Sequence, residues 1–381
     1  MLRLTLHSLL MTIACLGSAH AVQAADSVLV YFGTTTEKMS EGIYASRFDP
    51  ATGTLGPVTL AAKTTNPLFI NLHPNQPILY AIGERKDAEG KPIGTVEAFT
   101  IDKANGQLTP LNHQTAGVGS ICYVSIDKAG RTALGAAYND GYVVSIPLHA
   151  DGTLGERGSF TQHAGSSVNK KRQTSPHAHC VNLDPANHFA LVADLGLDQV
   201  ITYKLDAAKG TLTQQPDPFR TKPGAGPRHL AFDSSGRHVY IVNEIDSTIT
   251  LADYDAATGR LTEKQTLPLL PPDFKNLSTA AEVVIHPSGK FLYASNRGHD
   301  SLALFAIAPG TGQLTFVEYM REGVKHPRHF AIDATGNWLL CANRDADTIT
   351  VYRIDPANGH LSTTNNTVKV PMPTCIQFMA R

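Results

Sequence analysis

The stretch FDPATGTL (48–55) is the first of seven copies of one phrase. The others are IDKANGQL (101–108), LHADGTL (148–154), LDAAKGTL (205–212), YDAATGRL (254–261), IAPGTGQL (307–314) and IDPANGHL (354–361). The shared glycines Gly53, Gly106, Gly152, Gly210, Gly259, Gly312 and Gly359 recur every 46 to 58 residues. A polar turn ending in glycine between two apolar runs reads as a hairpin, because glycine supplies positive φ without steric cost. A repeat of this length with strand-like flanks is the pattern of a β-propeller, one four-stranded unit per blade.

A second phrase precedes the first in most repeats. Its copies begin at Asn71, Ser125, Asn182, Ala231, Val284 and Ala331, and each reads as apolar strand, polar turn, apolar strand. Two phrases make four antiparallel strands, a to d. The second phrase occurs six times and the first seven. SVLVYFGTTT (27–36) looks like a strand b without its own strand a, and PTCIQFMA (373–380) like a strand a without a blade. The reading that uses both is an all-β, seven-bladed propeller whose C-terminal strand completes the N-terminal blade. Such closure leaves no open sheet edge. It predicts one domain over residues 25–381 despite the length.

Composition bounds the partners. Lys plus Arg total 32 against 33 Asp plus Glu, with no basic stripe, which argues against nucleic acid or an anionic membrane as partner. Residues 1–24 differ from the rest: an apolar run from Leu4 to Gly17 leads to small residues ending Val22-Gln23-Ala24. This predicts a secretory signal peptide and a soluble periplasmic or secreted protein, since the run is too short for a membrane span. Cys122, Cys180, Cys341 and Cys375 all lie inside predicted strands a or b, near the core, without scaffold spacing, and read as buried thiols. No long exposed apolar stretch demands a partner, so a monomer is expected.

In a propeller, the start of strand a and the end of strand b open on one face, around the central channel. SPHAHC (175–180), GPRHL (226–230), AAEVV (280–284) and HPRHF (326–330) stand at the first position; Asp194, Glu244, Arg297 and Arg344 stand at the second. One rim therefore collects histidines, arginines and glutamates from at least four blades. His177 and His179 lie two apart in an extended segment and share a side, but no third ligand accompanies them, so no metal is expected. His73 and His286 read as turn residues of the opposite face. Asp198, Asp246, Asp300 and Asp347 read as equivalent loop residues.

The runs SPHAHCVNLDPANHFALVADLGLD (175–198), GAGPRHLAFDSSGRHVYIVNE (224–244) and AAEVVIHPSGKFLYASNRGHDSLALF (280–305) resemble the seven-bladed lactonase family. That family includes propeller-type 6-phosphogluconolactonases and the fungal carboxymuconate-lactonising enzymes. The resemblance spans the mature chain and implies a metal- and cofactor-independent funnel site. It implies His177, His179, Glu244, Arg228 and Arg297 as catalytic residues, and Glu282 at the family's AAE position. On their rim positions, Glu282, Arg328, His229 and Arg344 are expected to bind substrate. Blade three, with SICYVS (120–125), lacks a Pro-Arg-His opening, and the export signal keeps an unphosphorylated aldonolactone open beside the sugar-phosphate lactone. A muconate-type cycloisomerase and a non-catalytic anion- or protein-binding propeller are the alternatives. His179 and Glu244, then His177, are the candidate bases; Arg228 and Arg297 are suited to an oxyanion.

Overall fold

The computed structural model describes residues 27–37 and 39–379; the expected signal peptide lies outside them. Seven antiparallel sheets follow one another around a ring. The inner strands of blades two to seven are Ile70–Leu72, Tyr123–Ile126, Ala178–Leu183, Pro227–Phe232, Thr279–Ile285 and Pro327–Ile332. In blade one, Pro373–Phe378 pairs antiparallel with Val28–Thr34, which pairs in turn with Gly42–Asp49. The C-terminal strand therefore closes the ring, as the repeat pattern predicts. The outer strand of blade one is broken into Thr54–Leu55 and Thr59–Lys63, and that of blade four into Thr211–Gln214 and Phe219–Arg220.

The repeated glycine ends a longer loop than a two-residue hairpin. Gly53 N–H donates to the Asp49 carbonyl at 2.8 Å, the Asp49 side chain accepts from Ala51 N–H at 2.9 Å, and only the glycine has positive φ, 73°. All seven repeat glycines share that sign of φ. They also press against the preceding blade. Tyr31, Tyr80, Tyr240 and Tyr293 hydroxyls donate to the carbonyls of Gly106, Gly152, Gly312 and Gly359, at 3.1, 2.8, 2.8 and 2.6 Å. Each tyrosine is fully buried, so each hydroxyl must find a partner, and the next blade's turn provides it. Between blades seven and one, Trp338 Nε1–H takes this task and donates to the Pro50 carbonyl at 2.8 Å.

The loops after strand b correct one expected equivalence. Asp198, Asp300 and Asp347 adopt positive φ (55°, 53° and 55°), but in blade five Ser247 does so (52°) rather than Asp246. Asp198 carboxylate oxygens accept from Gly224 and Gly226 N–H at 2.7 Å each, and Asp300 accepts from His326 N–H at 3.0 Å, so these residues hold the approach to the next blade. Asp246 stands one position earlier and accepts from Thr248 instead. His73 and His286 occupy turns as expected, their rings meeting the Gly130 and Gly336 carbonyls of the following blade at 3.1 and 2.7 Å. The four cysteines are free thiols, and Cys122 stands one residue ahead of its inner strand.

Candidate active site

The inner strands begin with a distortion that builds the site. The ladder slips between Pro227 and His229, between Ala178 and Cys180, between Ala280 and Val283, and between Pro327 and His329. A bulge places an extra residue in one strand and re-aims side chains. Aligned by their pairing with strand b, the seven inner strands present two stacked rings. The upper ring is Leu68, Cys122, His179, Arg228, Ala281, Arg328 and Thr374. The lower ring is Phe69, Tyr123, Cys180, His229, Glu282, His329 and Cys375.

Above the upper ring opens a cavity of about 410 Å³, walled by Tyr138, Arg172, His179, Glu244, Arg297 and Arg328, with Cys122 and Leu68 at its base. Glu244 is its electrostatic centre. Arg228 Nε–H donates to its Oε2 at 3.0 Å, Arg297 Nη2 forms an ion pair with the same oxygen at 2.9 Å, and Arg172 Nη2–H donates to Oε1 at 2.5 Å. Burial pushes this carboxyl upward, but Arg297, Arg228 and Arg172 overcome it and hold the group well below the usual carboxylate range. A carboxylate so clamped is a poor proton acceptor.

His179 is buried, and its Nδ1 has no hydrogen-bond partner. Burial first, then Arg228, push its pKa well down, so it is neutral at neutral pH. His177 does not line the cavity. Its ring stacks on Tyr138 with centroids 4.4 Å apart, and its Nδ1 meets the Tyr138 carbonyl at 2.7 Å. Its backbone N–H is fixed by Asp194, whose other oxygen accepts from His163 Nδ1–H at 2.6 Å, while the Tyr203 hydroxyl donates to His163 Nε2 at 2.7 Å.

The remaining expected residues divide. Arg228 Nη1–H also donates to the Ala281 carbonyl of the next blade at 2.7 Å, whereas Arg297 Nη2–H donates to the Ala280 carbonyl of its own blade at 2.8 Å and reaches across to Glu244 of the preceding one. Arg328 makes no hydrogen bond or ion pair among the described residues. Burial, with Arg228 and Arg297 close by, pushes it down to about 9. It remains a cation at neutral pH with no ion pair of its own, Glu244 offsetting only part of the cost. His229 and Glu282 lie one layer below the cavity, paired with each other at 2.9 Å. Arg344 sits in a short turn of 3-10 helix (Arg344–Ala346) outside the cavity wall, 3.8 Å from Asp345.

Two wall residues escaped the sequence reading. Arg172 comes from the long connection between blades three and four and also donates to the Tyr138 hydroxyl at 2.8 Å. The only trace of it is the short Lys170-Lys171-Arg172 run, in a loop that no strand pattern places. Tyr138 follows strand b of blade three, where no charged residue marks the position. No cluster of His, Cys, Asp and Glu able to hold a metal ion occurs among the described residues.

The chain matches the family model described as lactonase, seven-bladed β-propeller, over residues 29–378. It is 35% identical over 349 residues to a 6-phosphogluconolactonase of Bacillus subtilis, covering 92% of this chain and 97% of that protein. A 6-phosphogluconolactonase of Formosa agariphila is 31% identical over 314 residues, covering 78% of this chain and 84% of that one. The solved structure of a periplasmic gluconolactonase of Pseudomonas aeruginosa superposes with a TM-score of 0.87 at 32% identity, covering 93% and 99% of the two chains. The ring closure, the funnel and these matches agree, and the chain belongs to the lactonase family of seven-bladed β-propellers.

Proposed function

We propose that the protein hydrolyses a sugar δ-lactone bearing an anionic group, in the manner of a 6-phosphogluconolactonase. The observation that carries this reading is the excess of positive charge at the cavity: Arg172, Arg228 and Arg297 pair with the single carboxylate of Glu244, and Arg328 stands in the wall without an ion pair. An uncompensated, largely desolvated guanidinium is costly. An anionic substrate relieves that cost at Arg328, and guanidinium groups bind phosphate or carboxylate through paired hydrogen bonds. The names of the relatives support a lactone as the reacting group, and the periplasmic relative agrees with an exported protein.

In this reading His179 accepts a proton from water as the water oxygen attacks the lactone carbonyl. The carbonyl electrons move onto oxygen, where Arg297, with Arg228 beside it, meets the developing charge. The ring C–O bond then breaks, and His179 returns its proton to the departing ring oxygen. Glu244 holds the arginines in place rather than transferring protons.

The test is base uptake at constant pH by the mature chain from Asp26, with 6-phosphogluconolactone and gluconolactone compared. Acid release above the spontaneous rate, faster with the phosphorylated lactone, is expected. Arg297→Ala is expected to lower kcat roughly 100- to 1000-fold, the usual loss for an oxyanion donor. Unchanged turnover in that variant overturns the assignment. Lactone formation from a muconate, or binding without turnover, moves the function to a cycloisomerase or an anion-binding propeller.

A further inference from the structure

The lower ring contains more titratable chemistry than a structural plug needs. His229 Nδ1 lies 3.0 and 2.9 Å from the two Glu282 oxygens, and His329 Nε2 lies 3.4 Å from Oε2. Phe69, stacked on Tyr123 at 4.1 Å, fills the apolar side of the ring. His179 of the upper ring meets His229 edge-on, with centroids 5.1 Å apart. His179 Nδ1, His229 Nε2 and His329 Nδ1 are buried without hydrogen-bond partners, and the three residues are 5, 4 and 7% exposed. Three orphaned nitrogens around one short stretch of channel are out of keeping with the rule that buried polar groups are satisfied. Buried polar groups left over in this way are commonly bridged by an ordered water.

We propose that Glu282, acting through His229 and a bridging water, sets the tautomer of His179 and takes up and returns the proton that His179 handles. This rests on the lactonase reading above and extends it to a layer that substrate does not touch. An ionised Glu282 accepts from His229 Nδ1–H, which leaves His229 Nε2 as an acceptor. The bridging water donates to that nitrogen and accepts from His179 Nδ1–H. His179 Nε2 is then a lone pair available for the attacking water, because the proton on one imidazole nitrogen is fixed by the hydrogen bond it makes. As Nε2 accepts a proton, the Nδ1 proton passes through the water to His229 Nε2, and the His229 Nδ1 proton passes to the Glu282 carboxylate. When the ring oxygen leaves and takes its proton from His179, the three transfers reverse. Glu282 and His229 are positioning residues, since neither touches substrate.

The surroundings of Glu282 suit a group that changes protonation without strong commitment. Burial pushes its carboxyl up, while His329 from blade seven and Arg228 from blade five pull it down. Burial and the arginines push both flanking imidazoles down, His329 to about 4. Tyr123, Cys180 and Cys375 face Glu282 from blades three, four and one, and burial keeps all three protonated.

Glu282→Gln preserves shape and removes the acceptor. Its kcat is expected to fall about tenfold or more, within the range for proton-transfer groups, with KM little changed and the acid limb of the kcat profile shifted, since His179 alone then sets it. His229→Gln breaks the same chain elsewhere and should give the same profile, and the double variant should lose no more than either single one. Circular dichroism establishes that each variant is folded. An unchanged acid limb in both folded variants overturns the proposal, as does additive loss in the double variant. Long-range 1H–15N spectra of histidine-labelled wild type give a readout independent of turnover. Nδ1–H tautomers for His179 and His229 are expected, with His229 altered in Glu282→Gln. An Nε2–H tautomer at His179 overturns the relay. If wild type hydrolyses no lactone, the functional reading falls, and these spectra still decide the coupling.

Discussion

At the scale of single residues, the channel is a place where ionisation is suppressed, and this makes the fold pH-sensitive. His179, His229 and His329 are all pushed below the ordinary imidazole range by burial. As pH falls below about 6.5, the unfolded chain takes up protons at these positions that the folded chain refuses, so stability declines. His329 contributes down to about 4. Glu244, held low by its arginines, adds to the loss at more acid pH; Glu282, held high by burial, opposes it with one proton. Three depressed imidazoles outweigh one raised carboxyl. Urea midpoints should therefore fall between pH 6.5 and 4, each imidazole contributing about 1.4 kcal/mol per pH unit within its window. A flat midpoint across that interval contradicts the burial of these neutral histidines.

At the scale of elements, the connection between blades three and four brings a further arginine into the wall of the funnel. Ser167 Oγ–H donates to Asp198 at 2.5 Å, Gln173 Nε2–H donates to Asp198 and to the Leu195 carbonyl, and Asn169 accepts from the Lys171 and Arg172 amides. These bonds fix a segment without regular structure so that Arg172 reaches Glu244 and Tyr138. Its side chain is 36% exposed, against 2% for Arg228 and 8% for Arg297, so it is the most accessible of the three arginines on Glu244. Arg172→Ala should raise KM for a phosphorylated lactone several-fold, in line with the roughly 1.5–3 kcal/mol of a hydrogen bond to a charged group, and leave a neutral lactone nearly unaffected. Equal effects on both substrates place Arg172 in structural support alone. Little of this loop was legible beforehand: its bonds run to side chains from other blades, so no local periodicity announces them.

At the scale of the whole molecule, the weak point of a ring is where its ends meet. Here the joint combines the pairing of Val28–Thr34 with Pro373–Phe378 and the packing of Trp338 from blade seven onto blade one. A Cβ at Gly53 would lie 2.4 Å from the Trp338 ring, so the first repeat glycine serves both its turn and this contact. Arg353 covers the ring from the other strand, 5.5 Å from its centroid. Trp338→Ala should cost about 3–5 kcal/mol, as truncations of large aromatic core residues do, measured by urea unfolding followed by circular dichroism. A loss below about 1 kcal/mol, the scale of one neutral hydrogen bond, means that strand pairing alone closes the ring. Trp338 is the sole tryptophan of the chain, so its emission in the wild type reports on this joint.

The sequence by itself determined the architecture. Seven glycine-ended turns and six strand pairs leave one ring closure that pairs every strand, and turn chemistry and hydrophobic alternation act locally, where sequence is directly readable. It also marked His179, Arg228, Glu244 and Arg297, because each starts or ends a strand at a repeated position. Only the tertiary structure decided how those residues divide their work. The strand bulges separate an upper ring facing the cavity from a lower ring beneath it, which puts Arg328 in the wall and His229 and Glu282 in the floor. The same arrangement gathers three arginines on Glu244 and leaves Arg328 unpaired. Those outcomes depend on side chains from different blades meeting across a channel, and charge and burial at that distance are set by packing around the ring rather than by neighbours along the chain.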